Sequence, residues 1–449
     1  MVARRSVTED LDATIRVSDW PAVPSSLERR ASPATALSAG MVSLALVGVN
    51  SLAYVFTVLA AHSLAPEAYG ELAALVGVMF IGVVPATGLQ MAAALKLGRG
   101  TFDPTRVVAR VHGSALAGAA VVGLTGLLAV APLVSLLHLS SAVPVFCLVA
   151  VLVPHTLVGG YDGILQGTGR YTRLAVVTGT FGVLKSGGGV AGLLIGGTPT
   201  SGLAGMAIGC TLGATLGYFT CGRPGVSRDV GTTVRAAGGA SGTLLGLILL
   251  LNLDVLLARH HLPANLAGEY AVAAIFAKIA FWLPQGVGVV LVPKLADPRA
   301  RRRVLPTAVG LIAALGAVLT AATAVLGSHA LPLVGGAAYG GAIGGGAWVF
   351  TMIGALLAVA QLLLYGGIAA ADRVATGAVW GAAAVEVIGV EVLAATGGLS
   401  VLTVAGMAMC AGTVLVVTGG LRTWQTHRRH APMPNATGGR HRTPDRTTG

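Results

Sequence analysis

The chain has 449 residues, of which 54% are hydrophobic and only 10% charged, with a mean hydropathy of +0.81. A soluble protein of this size carries about a quarter charged residues to cover its surface, so the composition excludes one. The net charge of +12 would fit a nucleic-acid partner, but the basic residues lie in loops and tails between apolar runs, which points to lipid headgroups and excludes nucleic acid.

Residues 1–34 are polar and mixed in charge, from Arg4 and Arg5 to Arg29 and Arg30. No apolar core follows a short basic start, so this segment is read as a cytoplasmic N-terminal tail and not as a cleaved signal. Twelve apolar segments follow, at 36–61, 72–95, 113–137, 144–165, 174–196, 201–221, 236–258, 271–293, 304–328, 344–370, 378–395 and 400–420. At 1.5 Å per helical residue they can cross a hydrocarbon core of about 30 Å. The segment 378–395 is the shortest and carries two glutamates. The expected fold is an all-α polytopic membrane protein of about twelve transmembrane helices. A six-helix lobe over 35–221 is joined by a cytoplasmic linker, 222–235, to a second over 236–421, and a basic cytoplasmic tail, 422–449, follows.

The distribution of basic residues tests this map. With the N-terminus in the cytoplasm, all but three of the 29 Lys and Arg fall on the cytoplasmic side, as the positive-inside rule requires. The exceptions are Arg259, in an outer loop, and Lys185 and Lys278, within spans. Both termini are therefore placed inside.

A repeat is visible within the chain. Residues 60–71 read AAHSLAPEAYGE and residues 258–269 read ARHHLPANLAGE. At this one offset Ala60, His62, Leu64, Gly70 and Glu71 match Ala258, His260, Leu262, Gly268 and Glu269, while Lys96 and Leu97 match Lys294 and Leu295. An even number of spans separates the copies, so they share one orientation: a parallel repeat about an axis along the membrane normal.

Polar groups within the spans are few. Asn50, Tyr54, Gln90, Asn252 and Gln285 offer donors and acceptors that suit sugar hydroxyls or, alternatively, helix–helix hydrogen bonds. Lys185 lies roughly 11 residues, or about 16 Å, into its span. Followed by Ser186 and three glycines, it reads as an anion-binding group or as a lysine held structurally. Gly205, Gly209, Gly213 and Gly217 form a smooth ridge for close helix contact. Asp254 and Lys278 lie in the outer halves of adjacent antiparallel spans, where they neutralise each other or act as a gate or coupling element. Arg259 sits at the outer mouth, as a headgroup ligand or an interfacial anchor. Pro85 and Pro284 interrupt spans two and eight at nearly matching repeat positions. The glycine-rich run 335–346 is expected as a flexible outer loop. Glu386 and Glu391, five residues apart, point about 140° from one another; Glu386 is the one placed for proton or sodium coupling or, alternatively, for pairing with a lysine of a neighbouring span.

Cys147, Cys210, Cys221 and Cys410 show no metal-ligand or disulfide spacing and read as buried small hydrophobes. No Walker A, HExxH or GxSxG pattern occurs. No enzymatic activity, metal or resident cofactor is expected.

Three stretches resemble the multidrug/oligosaccharidyl-lipid/polysaccharide (MOP) exporter superfamily, and within it the polysaccharide flippase branch: LAPEAYGELAAL at 64–75, GILQGTGRYTRLAV at 163–176, and residues 252–297 from NLDVLLARHHLP to LVPKLAD. The resemblance implies two six-helix bundles around a V-shaped cavity, lined largely by spans one, two, seven and eight, that opens alternately to each side. It also implies a substrate: polyprenyl-diphosphate-linked saccharide, carried across a bacterial cell membrane for surface polysaccharide synthesis. Polysaccharide polymerase or glycosyltransferases would be its partners. A multidrug or cation antiporter of the same superfamily is the alternative, and a non-transporting membrane scaffold a second.

Overall fold

A computed structural model of the chain describes residues 33–98, 104–227, 231–284, 298–368 and 373–429. The tail expectations for 1–32 and 430–449 lie outside the described residues. Twelve long helices follow in order: α1 Pro33–Ser63, α2 Pro66–Gly98, α3 Pro104–Leu128, α4 Val143–Gly167, α5 Tyr171–Gly196 and α6 Pro199–Thr220, then α7 Gly231–His261, α8 Ala264–Trp282, α9 Pro298–Leu326, α10 Ala347–Ile368, α11 Arg373–Ala395 and α12 Val401–Arg429. Twelve segments among the described residues are long and apolar enough to cross a membrane, including the short expected span, which is helical throughout Val374–Ala395.

Helix ends follow local chemistry. α6 opens with Thr198 and Ser201 capping each other and Pro199 in the first turn, which satisfies the free N–H groups of that turn. The expected span 113–137 is instead α3 followed by a short helix, Val130–Leu136. Pro132 explains the break, because its ring clashes with the carbonyl four residues back, that of Leu128, where α3 stops. The expected span 271–293 begins earlier, at Ala264, directly after Pro263, and its helix stops at Trp282, two residues before Pro284. Pro85, by contrast, lies inside an unbroken α2. α7 starts within the expected linker and α12 continues into the expected tail as far as Arg429.

Helix pairing repeats at an interval of six. α1 packs on α5, α2 on α4, α3 on α4, α4 on α6 and α5 on α6; α7 packs on α11, α8 on α10, α9 on α10, α10 on α12 and α11 on α12. Across the two sets, α2 packs on both α7 and α8.

The glycine ridge of α6 is a contact surface, as its spacing predicts. A side chain at Gly205 would run into the carbonyl of Gly188, one at Gly209 into that of Leu184, one at Gly213 into the ring of Phe181 and one at Gly217 into that of Tyr161. Such backbone approach replaces the hydrophobic driving force that lipid does not supply.

Candidate functional site

The two halves meet where α2 crosses α7 and α8. A Cβ on Gly70 would stand 3.0 Å from the backbone nitrogen of Gly268, so the two glycines matched by the internal repeat face each other across the junction. Ala60 and Ala258 are fully buried beside them, and Leu64 and Leu262 nearly so. The repeat thus marks the surface along which the halves touch.

Deeper in the membrane, Asn252 of α7 is fully buried against Gly77 of α2. Its side-chain nitrogen donates to the carbonyl of Ile248 at 2.8 Å, and among the described residues its oxygen has no partner. Lys278 of α8 lies with its ammonium 5.7 Å from the ring of Phe80 on α2, a cation–π distance. The hydroxyl of Tyr54, on α1, donates to the backbone carbonyl of Lys278 at 2.9 Å. Helices from both halves therefore hold Lys278 at the junction.

The charges of Asp254 and Lys278 act on each other across the second half, but among the described residues no carboxylate oxygen comes within 4.0 Å of the ammonium. Asp254 accepts a hydrogen bond from Tyr270 at 3.1 Å, and among the described residues its second oxygen has no hydrogen-bond partner. Tyr270 stands edge-on to Phe350 at 4.9 Å. Glu386 of α11 is fully buried, and among the described residues neither of its oxygens has a hydrogen-bond partner. The 140° divergence read from the sequence holds: Glu391 is exposed and pairs with His261 at 3.0 Å. The second half thus encloses two carboxyls from α7 and α11 with three unmatched oxygens, chemistry suited to a proton or a small hard cation.

Lys185 is placed differently. Its ammonium lies 5.9 Å from the ring of Phe181, with His155 and Cys210 as the ionisable groups near it. All of these neighbours belong to the first six helices, whereas those of Lys278 lie at the junction of the halves. His155, whose ring stands 4.8 Å from Phe181, escaped the sequence reading. So did Asp162, which is buried and accepts from Thr178 at 3.3 Å. A signal existed: α4 and α5 are antiparallel, and both 155 and 162 and 178 and 185 recur at the seven-residue spacing of one helix face.

At one end of the junction, Arg259 is 7% exposed and donates to three carbonyls: Leu137 at 2.9 Å, His138 at 3.3 Å and Glu67 at 3.4 Å. In this arrangement its guanidinium is occupied by protein. The ring of His260 bonds the carbonyl of Leu136 at 2.7 Å. On the other side Tyr339 donates to the carbonyl of Leu64 at 3.3 Å; burial pushes its hydroxyl up to about 12, so it remains a donor. Ala342 donates its backbone N–H to Glu269 at 2.9 Å. The glycine-rich run 335–346, expected as a flexible loop, is therefore docked, with Tyr339 only 3% exposed. Each half lends a loop that covers the first hairpin of the other.

Gln90 donates to Gln166 at 3.2 Å within the first half, and Asn50 is exposed on α1. Gln285 lies outside the described residues. The four cysteines are free: Cys210 and Cys221 are buried as expected, whereas Cys147 is half-buried and Cys410 exposed. Among the described residues no cluster of three His, Cys, Asp or Glu is arranged to hold a metal.

No protein-family model matches the chain, and no curated protein matches it in sequence. Solved structures do match. The lipid II flippase MurJ in an inward closed conformation superposes with a TM-score of 0.67 at 13% identity, over 85% of this chain and 87% of that one. An inward-facing multidrug resistance MATE family transporter of the MOP superfamily gives 0.63 at 14% identity, over 84% and 96%. An outward-facing one gives 0.56 at 16% identity, over 88% and 96%. The chain shares the fold of these MOP-superfamily transporters.

Proposed function

We propose that this chain is an alternating-access transporter of a bacterial cell membrane that flips an anionic lipid-linked saccharide, of the polyprenyl-diphosphate class, for surface polysaccharide synthesis. The observation that carries this reading is Lys278: a lysine at the junction of the two halves, held by Tyr54 and Phe80, with Asp254 as its charged neighbour but no carboxylate oxygen within 4.0 Å among the described residues. An ammonium in low dielectric calls for an anion, and a diphosphate supplies one. Tyr54 beside it, and Asn252 at the same crossing of α2 and α7, are the polar partners proposed for sugar hydroxyls.

With both termini in the cytoplasm, as the basic loops favour, the end closed by Arg259 and Tyr339 faces outward. The cavity would then open to the cytoplasmic side. Glu386 and Asp254 serve as the coupling site for a proton or sodium ion. A polymerase or glycosyltransferase acting on the flipped lipid would be the partner.

Those buried carboxyls also favour a second reading, a cation or drug antiporter. Depletion of the protein followed by analysis of lipid-linked saccharides by leaflet separates the two. The flippase predicts inner-leaflet accumulation, rescued by the wild type and by Lys185→Met but not by Lys278→Ala. Unchanged saccharide lipids with new sensitivity to cationic drugs would establish the antiporter instead. Loss of rescue on tail truncation alone would favour a scaffold.

A further inference from the structure

Lys185 has no part in the junction, yet a membrane-embedded ammonium is costly unless something answers its charge. Its surroundings are Phe181 on its own helix, His155 of α4 and Cys210 of α6. A Cβ on Gly209 would stand 3.0 Å from the backbone nitrogen of Lys185, so α6 backs closely onto α5 here. Lys185 and His155 are both half-buried, which leaves space beside them among these three helices. No carboxylate fills it. The acidic side chains described in the first half are Glu67, Glu71 and Asp162. Glu67 and Glu71 act on Arg259, while Asp162 accepts from Thr178 and acts on Cys221. Among the described residues no carboxylate oxygen lies within 4.0 Å of the Lys185 ammonium.

Donors without acceptors gather at the same level of the helices. Polar side chains within a helix commonly bond the carbonyl one turn back. The Nδ1 of His62 does so with Val58 at 3.0 Å, and the hydroxyls of Thr57, Thr156 and Thr211 do so with Ala53, Leu152 and Ala207. The Nδ1 of His155 is buried and has no partner among the described residues. Ser186, next to Lys185 on α5, is 1% exposed, and among the described residues its hydroxyl has no partner either. We propose that Lys185, with His155 and Ser186, forms a site inside the first half for a small monovalent inorganic anion of the chloride type. With its proton on Nδ1, His155 donates to the ion, as do the ammonium and the hydroxyl. One fixed positive charge balances one negative charge, so a diphosphate would bring charge that nothing here neutralises. The bound ion neutralises the ammonium and ties α4 to α5.

This site is separate from Lys278 and independent of the transported substrate. Thermal unfolding of the full chain in lipid nanodiscs tests it, with chloride replacing gluconate at constant ionic strength. The melting temperature of the wild type is expected to rise with chloride and to saturate, as binding to the folded state alone requires. Lys185→Met is expected to lose the rise while melting in gluconate no lower than the wild type. His155→Phe keeps a ring against Phe181 without the N–H. It is expected to need at least about tenfold more chloride for half of the rise, the loss of one hydrogen bond to a charged group. Lys278→Met is expected to keep the rise. Inorganic pyrophosphate, as the probe for a headgroup, is expected to give no rise that depends on Lys185. No chloride-dependent rise in the wild type overturns the inference. So does a rise that Lys185→Met retains, or one that only pyrophosphate produces. If depletion leaves saccharide lipids unchanged while the chloride response persists, the substrate reading fails and the anion site stands.

Discussion

Gly268→Ala places one methyl at the tightest point between the halves. Its Cβ would run into the carbonyl of Pro66 and come 2.9 Å from the Pro66 Cα, well inside ordinary contact. The obstacle is backbone at the start of α2, which no rotamer can clear, so the helix ends must part by about 1 Å. Overpacking of this kind costs about 1–3 kcal/mol. The substitution also raises the helix propensity of α8 by about 0.5–1 kcal/mol, but equally in every conformation, so it does not offset the shift. The closed arrangement should therefore lose about 5- to 150-fold in population relative to the open one. Spin labels at Ser140→Cys and Asn265→Cys, exposed positions of the first and second half at this end, read this in a cysteine-free background as growth of the long distance. Gly354→Ala is the control. Its Cβ would strike the carbonyl of Ala277 inside the second half, so it should lower thermal stability without lengthening that distance. A Gly268→Ala protein with an unchanged distance distribution would refute the view that this crossing closes the end.

Other outcomes follow from the same geometry. Arg259→Gln strips three carbonyls of a charged donor, at about 1.5–3 kcal/mol per such bond, and should lengthen the 140–265 distance at every pH. Tyr270→Phe leaves Asp254 without its hydroxyl partner and should reduce stability by about 1–3 kcal/mol in thermal unfolding of the purified protein. Glu386→Gln keeps the shape of a buried carboxyl but removes its charge. Any sodium- or acid-induced rise in melting temperature seen in the wild type should vanish in it, and persistence of that rise would remove Glu386 from the coupling site. Lys185→Met replaces a buried ammonium with an apolar chain of similar length, and should match or exceed the wild type in stability by up to about 4 kcal/mol.

Much of the architecture is legible in the sequence because it rests on local properties. Hydropathy locates every span, since lipid tolerates no unsatisfied backbone. Positions of prolines set boundaries at Leu128 and Trp282, once their clash with the preceding turn is considered. The ridge Gly205–Gly217 announces a close helix neighbour, and the matched loops at 60–71 and 258–269 announce a repeat. The divergence of Glu386 from Glu391 follows from helix periodicity alone.

What the tertiary structure decided is which partner each of these groups meets. Two intramembrane lysines look alike in sequence, yet the rotation of α5 turns Lys185 toward His155 within its own half, while that of α8 sets Lys278 against Phe80 across the junction. Asp254 takes its hydrogen bond from Tyr270, and Lys278 acts on it without direct contact. Arg259 reaches carbonyls of residues 137 and 138, more than a hundred positions away, and a glycine-rich loop docks because Tyr339 finds the carbonyl of Leu64. A chain's hydrophobicity is a sum over neighbours in sequence, and so it determines that the helices form and cross. A hydrogen bond or charge contact depends on the rotation and approach of two distant helices, which only their packing against each other establishes.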